Sequence, residues 1–361
     1  MSRRPPLVVA WELTRACPLA CRHCRATAQH NRHPAELTFD EGRAFMADLA
    51  EAFPGAVLIL TGGEPLSRPD ALELAAAGSE LGLQMALSVD VDWLLTPETC
   101  RRISETGVAR VSFSLHFPDP ERSDSFASTP GFHVAALDGL ANLREVGVAF
   151  QVHTTVMRSN AGLLADMHGQ VGRLGAAGWE LFFLVPTGRG RLLAGEQLSP
   201  SGQERVLRWL YRLQRVSPFP VKQICAPHFR RVEAQSARAR SDARSQRLTP
   251  RTSTLSRGCL AGNGFAFVSH VGDVCGCGFL PLSVGNVRDR PFSELYEHSP
   301  LFAAFRNPDS LGGACGACEY RVLCGGCRAR AYAATGDPLA EEPDCAYVPA
   351  SLASPAPALR R

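Results

Sequence analysis

Lysine is almost missing from this chain: among 38 Lys and Arg residues, Lys222 is the only lysine. So complete a preference for Arg reads as codon usage rather than phosphate recognition. The formal net charge is only +3, which does not mark a nucleic-acid binder, whose basic surplus is larger and clustered. Long apolar runs are missing too. Leu7 to Ala10 is soon interrupted by Glu12 and Arg15, too short for a signal-peptide core or a membrane span. No internal repeat or low-complexity tract is visible. The expected location is the cytoplasm, and a reducing compartment argues against disulfides.

What the chain does have is cysteine and enough apolar mass for a sizeable core. Its 361 residues are 45% hydrophobic, which suits one large or two moderate domains. The 13 cysteines fall into two groups. Cys17, Cys21 and Cys24 stand near the start, and eight more lie between Cys259 and Cys345. Cys100 and Cys225 stand apart; both read as buried thiols, Cys100 on a helix. Clustered cysteines at short spacing in a reducing compartment are metal ligands or catalytic thiols.

Strand-like and helix-like segments alternate through residues 1–215. Strands are expected near 8–13, 57–60, 85–89, 108–115, 149–157 and 180–185. Helices are expected near 38–53, 71–81, 97–105, 134–146, 163–174 and 201–215. Thr38 followed by Glu41 is a capping-box pattern. Six strands, each followed by a helix, predict an α/β fold with a parallel sheet or barrel and right-handed crossovers. Chemistry in such folds gathers at the C-terminal ends of the strands. The cysteine loop follows the first strand, and Gly62-Gly63-Glu64-Pro65 follows the second. Residues 216–258 read as a bridging segment, in which 234–257, rich in Ser and Arg, form a mobile loop. Residues 259–350 are a cysteine-rich domain and 351–361 a disordered tail.

Cys17-x3-Cys21-x2-Cys24 suits a 4Fe–4S cube with one iron lacking a protein ligand. A structural zinc would want a fourth ligand nearby. This spacing resembles the signature of the radical S-adenosylmethionine (SAM) superfamily, with His23 in the aromatic-like place before the last Cys. The resemblance implies a partial (β/α)6 TIM-like barrel in which SAM chelates the open iron. One electron then cleaves SAM, and a 5′-deoxyadenosyl radical removes hydrogen from substrate. It further implies SAM contacts from Gly62, Gly63, Glu64 and Pro65, from Ser114, and from Gln151 and Thr154 on a polar strand lined also by Thr155 and Asn160. Where relatives carry Ser-Leu-Asp-Gly, this chain has Ser114-Leu115-His116-Phe117. His116 is read either as a proton donor or acceptor near neutral pH or as a packed, SAM-orienting residue. Ser88-Val89-Asp90 replaces the usual Asn-Gly turn.

Cys315-x2-Cys318-x5-Cys324-x2-Cys327, with Cys259, Cys277 and Cys345, resembles the SPASM domain, which binds auxiliary 4Fe–4S clusters. The array is one residue short between Cys324 and Cys327, and Cys275 is extra. By the family's assignment, Cys315, Cys318, Cys324 and Cys345 hold one cluster. Cys259, Cys277 and Cys327 hold the other, with Cys275 a possible fourth ligand. A zinc ribbon is the alternative. Within this group the chain resembles proteins of heme d1 and alternative heme synthesis through Trp11-Glu12-Leu13-Thr14-Arg15, Pro186-Thr187-Gly188-Arg189-Gly190 and Cys324 to Tyr332. In those relatives the radical acts on propionates of a porphyrin-like ring. Arg189, Arg191, His228, Arg230 and Arg231 are candidate partners for such carboxylates. Peptide maturation is the competing enzymatic reading, weakened by a first strand that begins near Leu7 with no leader-binding domain before it. An iron–sulfur electron carrier on a degenerate barrel is the non-catalytic one. The expected partners are a small-molecule or peptide substrate and a ferredoxin or flavodoxin.

Overall fold

The computed structural model describes residues 7–239 and 258–353. Most of the Ser/Arg-rich stretch and most of the tail lie outside the described residues.

The barrel half alternates as its pattern predicts. In chain order it runs β1 (Val8–Thr14), α1 (Phe39–Ala52), β2 (Val57–Gly62), α2 (Ala71–Glu80), β3 (Gln84–Val89), α3 (Pro97–Glu105) and β4 (Arg110–Ser114). It continues with α4 (Pro120–Ala127), α5 (Phe132–Glu145), β5 (Phe150–Val156), α6 (Leu164–Arg173), β6 (Trp179–Phe183) and α7 (Pro200–Leu213). Thr38 and Glu41 form the reciprocal cap of α1, at 3.2 and 2.8 Å. Periodicity gives no element between β4 and α5, yet α4 forms there. Its start is chemical rather than periodic: Asp119 caps the Arg122 amide at 2.9 Å and Pro120 opens the first turn. The segment read as a bridge also holds structure, β7 (Val221–Ile224) and α8 (Phe229–Ala239). Residues 234–239 therefore continue a helix rather than begin a loop.

The cysteine-rich part contributes β8 (Phe265–Val268), β9 (Asp273–Cys277), β10 (Leu280–Asn286), α9 (Phe292–His298), α10 (Pro300–Arg306), α11 (Gly313–Ala317) and α12 (Arg328–Thr335). One sheet of ten strands runs in the order β10-β9-β8-β1-β2-β3-β4-β5-β6-β7. Strands β1 to β7 are parallel in sequence order. Strand β8 adds parallel to β1, with Val8 opposite Phe265 and Trp11 opposite Val268. The β9 and β10 strands then turn back antiparallel. One apolar core runs from Leu7 through to Ala329, so the cysteine-rich part packs on the barrel sheet itself.

Trp11 shows how tightly α1 seats on this sheet. Its ring is fully buried and lies edge-on to Phe45 at 5.6 Å. A Cβ on Gly42 would fall 2.3 Å from the Trp11 ring. Gly42→Ala should therefore cost about 1–3 kcal/mol by overpacking, against a helix-propensity gain of about 1 kcal/mol. The net result expected is a lower melting temperature. An unchanged one would mean that the α1–β1 contact is looser than this.

Candidate active site and metal centres

The loop after β1 carries the first cysteines, and its backbone is pinned from three directions. The Cys17 amide donates to Gln29 O at 2.7 Å and the Gln29 amide to Arg15 O at 2.9 Å, closing the loop on itself. From β2, the Gly63 amide donates to Thr14 O and the Glu64 amide to Ala16 O, both at 2.7 Å. From the segment after β6, the Arg189 amide donates to Cys24 O at 2.9 Å, while its guanidinium reaches Cys21 O at 3.1 Å and Ala28 O at 3.2 Å. The glycines serve this contact. A Cβ on Gly62 or Gly63 would lie 2.4 Å from the carbonyl oxygen of Thr14 or Ala16, and one on Gly188 2.2 Å from Arg25 O. Their missing side chains admit the cysteine loop itself.

Glu64 is a buried staple. Its Oε1 accepts from Leu66 N at 3.0 Å and its Oε2 from Asp90 N and Val91 N, both at 2.9 Å. Burial pushes its carboxyl up to about 8 despite those bonds. Pro65, also buried, opens the short turn Pro65–Ser67. Glu64 thus fixes the end of β3, where Asp90 in turn accepts the Ser114 amide at 3.0 Å.

A cleft of about 330 Å³ lies beside Cys21, lined by His23, Asp90, Ser114, His116 and Phe126 among others. His23 packs edge-on to His116 at 4.4 Å and stacks on Phe126 at 5.1 Å. Burial holds the His23 ring neutral, with its pKa down at about 4. Burial, with His23 and His153 nearby, also pushes His116 well below its ordinary value. The His116 Nδ1 accepts the Thr155 amide at 3.0 Å, so Nε2 carries the proton. The reading of His116 as a group titrating near neutral pH is corrected: it is a neutral, oriented ring.

Two further expectations change. Thr154 is fully buried; its hydroxyl donates to Leu115 O at 2.7 Å and accepts from Trp179 Nε1 at 2.9 Å. Trp179 sits edge-on to Trp209 of α7, so Thr154 faces the helix layer, away from the cleft. Gln151, at the start of β5, bonds Arg110 at 3.2 Å and His153 at 2.9 Å and does not line the cleft. Asp90, which sequence reasoning did not single out as a ligand, does line it.

The residues present fit a cube and a SAM molecule. Cys17 and Cys24 already accept backbone amides at sulfur, from Leu19 at 3.4 Å and Ala28 at 3.5 Å. Burial pushes the Cys17 and Cys21 thiols up to about 12, so only a bound metal would make them thiolates at neutral pH. The adjoining cleft offers one carboxylate, Asp90, and two hydroxyls, Ser114 and Ser123, within an otherwise largely apolar wall, which suits a ligand with an ammonium group and an aromatic base.

A second cavity, of about 680 Å³, is lined by Cys315, Cys318, Cys324 and Cys345 together with His228 and Arg231. Backbone amides of Glu342, Tyr320 and Gly326 donate to Cys315, Cys318 and Cys324 at 3.3–3.4 Å. His228 is buried with both ring nitrogens unpartnered, and such orphaned groups suit a sulfide-bearing occupant. The short Cys324-Gly-Gly-Cys327 spacing has a local cause. Gly325 and Gly326 are both left-handed, at φ 75° and 62°, which turns Cys327 out of this cavity. It joins Cys259 and Cys277 instead. Cys275 does not join them: it packs against Ala10 and Phe267 in the hairpin core.

The proposed carboxylate clamp is mostly engaged elsewhere. Arg189 holds the cysteine loop, Arg230 pairs with Glu233 at 2.9 Å, and Arg231 pairs with Glu204 and lies over Tyr347. Arg191 is exposed, with no side-chain partner among the described residues. Glu12 links the two cysteine regions. Fully buried, it pairs with Arg25 at 3.2 Å, Arg15 at 3.3 Å and His270 at 2.8 Å. Burial alone would raise its carboxyl, but these partners bring it down to about 2.

Thr154→Val should leave the Trp179 N–H unpaired and cost about 1–3 kcal/mol, while reductive cleavage of SAM by the folded variant stays at the parent rate. Loss of cleavage at full stability would return Thr154 to the cofactor site. Replacing Cys17, Cys21 and Cys24 by Ala should remove about four irons per chain and leave the rest. Loss of all iron would show that the cysteine regions do not load separately.

Comparison with known proteins agrees with this geometry. The radical SAM superfamily model matches residues 11–160, and the iron-sulfur cluster-binding SPASM model matches residues 259–319. An AdoMet-dependent heme synthase of Methanosarcina barkeri is 42% identical over 95% of this chain and 97% of that protein. Another, from Nitratidesulfovibrio vulgaris, is 41% identical over 95% of this chain and 92% of that one. The crystal structure of Streptococcus suis SuiB bound to precursor peptide SuiA superposes with a TM-score of 0.73 at 15% identity, covering 95% of this chain and 76% of that one. No helix among the described residues is long and apolar enough to cross a membrane. The chain belongs to the radical SAM superfamily of enzymes, in the group that carries 4Fe–4S clusters in a C-terminal SPASM domain.

Proposed function

We propose that this protein is an AdoMet-dependent heme synthase that acts on propionate side chains of an iron porphyrin. One observation carries the reading: 42% identity with a heme synthase, spread over nearly the full length of both chains. The peptide-bound structure bears on the fold alone at 15% identity, so peptide maturation stays the second reading. Three sulfur-rich sites support a reaction that both consumes and releases electrons.

In this reading Cys17, Cys21 and Cys24 hold the catalytic cube, and Asp90 and Ser114 supply polar contacts to SAM. When bound, the cube and SAM supply the 5′-deoxyadenosyl radical. His23, His116 and Phe126 form a neutral, ring-packed wall of the cleft. Arg189 holds the loop carbonyls and keeps the three thiols in register. Arg191, exposed and without a side-chain partner among the described residues, is the arginine left to meet a substrate carboxylate. A ferredoxin or flavodoxin delivers the first electron.

Fe-coproporphyrin III, the named product of another relative, is the porphyrin to test. Turning a propionate into a vinyl removes one hydrogen atom, one CO2 and one electron. Anaerobic holoenzyme with dithionite, SAM and this porphyrin should form heme, with one 5′-deoxyadenosine per vinyl. 5′-Deoxyadenosine without any change in the porphyrin spectrum would sink the substrate assignment and leave the radical chemistry standing. No 5′-deoxyadenosine from fully loaded protein would favour the electron-carrier reading.

A further inference from the structure

Cys225 lies one residue past β7, at the C-terminal end of the parallel sheet. Its spacing from the other cysteines gives no hint of a partner: Cys259 comes 34 positions later. The fold supplies one. The Cys225 thiol lies beside those of Cys327 and Cys277. Cys259 in turn lies beside Cys327 and Cys277. Four thiols from four separate segments thus converge: the end of β7, the entry to β8, the end of β9 and the start of α12.

The backbone around Cys225 is held for this purpose. Its φ is +59°, a left-handed conformation that is strained for a non-Gly residue and that Gly or Asn would adopt more easily. Arg330, buried and paired with Glu342 at 2.9 Å and Asp344 at 3.1 Å, donates to Cys225 O at 2.8 Å. Arg330 stands three residues after Cys327, so one side chain ties the two cysteines' segments together. Cys275 has none of this. Its flanking charges are Asp273, Glu12 and Arg25, with no sulfur among them, and it is an internal residue of β9 opposite Phe267 and Ser283.

We infer that Cys225, rather than Cys275, is the fourth thiolate of the auxiliary cluster held by Cys259, Cys277 and Cys327, which leaves that cube no iron free for substrate. The inference rests on the 4Fe–4S content of the C-terminal domain and is independent of the porphyrin assignment. Together with Cys315, Cys318, Cys324 and Cys345, it gives both auxiliary cubes four protein ligands.

The test uses full-length protein carrying Cys17, Cys21 and Cys24 as Ala, reconstituted anaerobically with 57Fe and sulfide, so that only auxiliary clusters remain. Cyanide is the probe for an open iron, read by EPR and Mössbauer spectroscopy. The unaltered auxiliary set should give no cyanide-dependent signal. Cys225→Ala should either lose about four irons per chain or keep them and gain a cyanide-dependent signal. Cys275→Ala should do neither. A cyanide response before any auxiliary change overturns the inference, as does a Cys225→Ala protein that matches its parent in iron and stays silent to cyanide. If Cys225→Ala does not fold, Cys225→Ser decides. A shifted midpoint potential or altered EPR signal is expected from oxygen ligation, and an unchanged cluster overturns the inference.

Discussion

Everything at the mouth of this barrel depends on one buried carboxylate. Glu12 sits in β1 with no solvent exposure and collects Arg15, Arg25 and His270. Removing one partner of such a buried group is strongly destabilising, since an uncompensated charge remains. The geometry also carries meaning. Arg25 immediately follows Cys24, while its guanidinium reaches Gly278 O, next to Cys277, at 3.4 Å and lies over Phe267 at 4.7 Å. His270 stands in the turn between β8 and β9. A single anion therefore fixes the catalytic cysteine loop against the hairpin that carries an auxiliary cysteine. A second contact completes the chain of sulfur sites, because the Cys259 amide donates to Cys324 O at 3.1 Å.

Much of this was legible from residues alone, and the reasons are local. Cys17, Cys21 and Cys24 announce themselves by spacing, and the Gly62-Gly63 turn by following a buried strand. The alternating barrel follows from periodicity, and α1 from its cap. What was not legible depended on facing and on distance in sequence. Thr154 looked like a lumen residue because it is polar, but a two-residue period places it with Val152 and Val156 on the helix side. Cys275 looked like a ligand because it neighbours Cys277, whereas the partner that meets Cys327 comes from a different strand altogether. The arginines looked free because sequence does not show carbonyls; Arg189 spends its guanidinium on two of them. His116 looked titratable because burial is invisible in a sequence.

The cleft beside Cys21 gains its character from neutrality. His23, His116 and Phe126 press ring on ring, and both imidazoles are held uncharged by desolvation. Behind them Asn160 bonds His116 O at 3.0 Å and Thr155 O at 2.8 Å, so the wall cannot easily reorient. Asp90, pushed up by burial, is the carboxylate in its lining, beside the hydroxyls of Ser114 and Ser123. A site for a reactive carbon-centred species benefits from walls that do not reorient, and these packed rings supply one with ordinary side chains.

The parallel seating of β8 against β1 bears on how the molecule is made. Strand β1 gains its outer neighbour only after more than 250 further residues have been synthesised, since Val8 must wait for Phe265. Until then its outer edge presents unpaired amides and carbonyls, an invitation to aggregation. Pairings this remote in sequence are also slow to find. The nascent barrel is therefore a molecule in need of shelter until the β8–β10 segment closes over that edge.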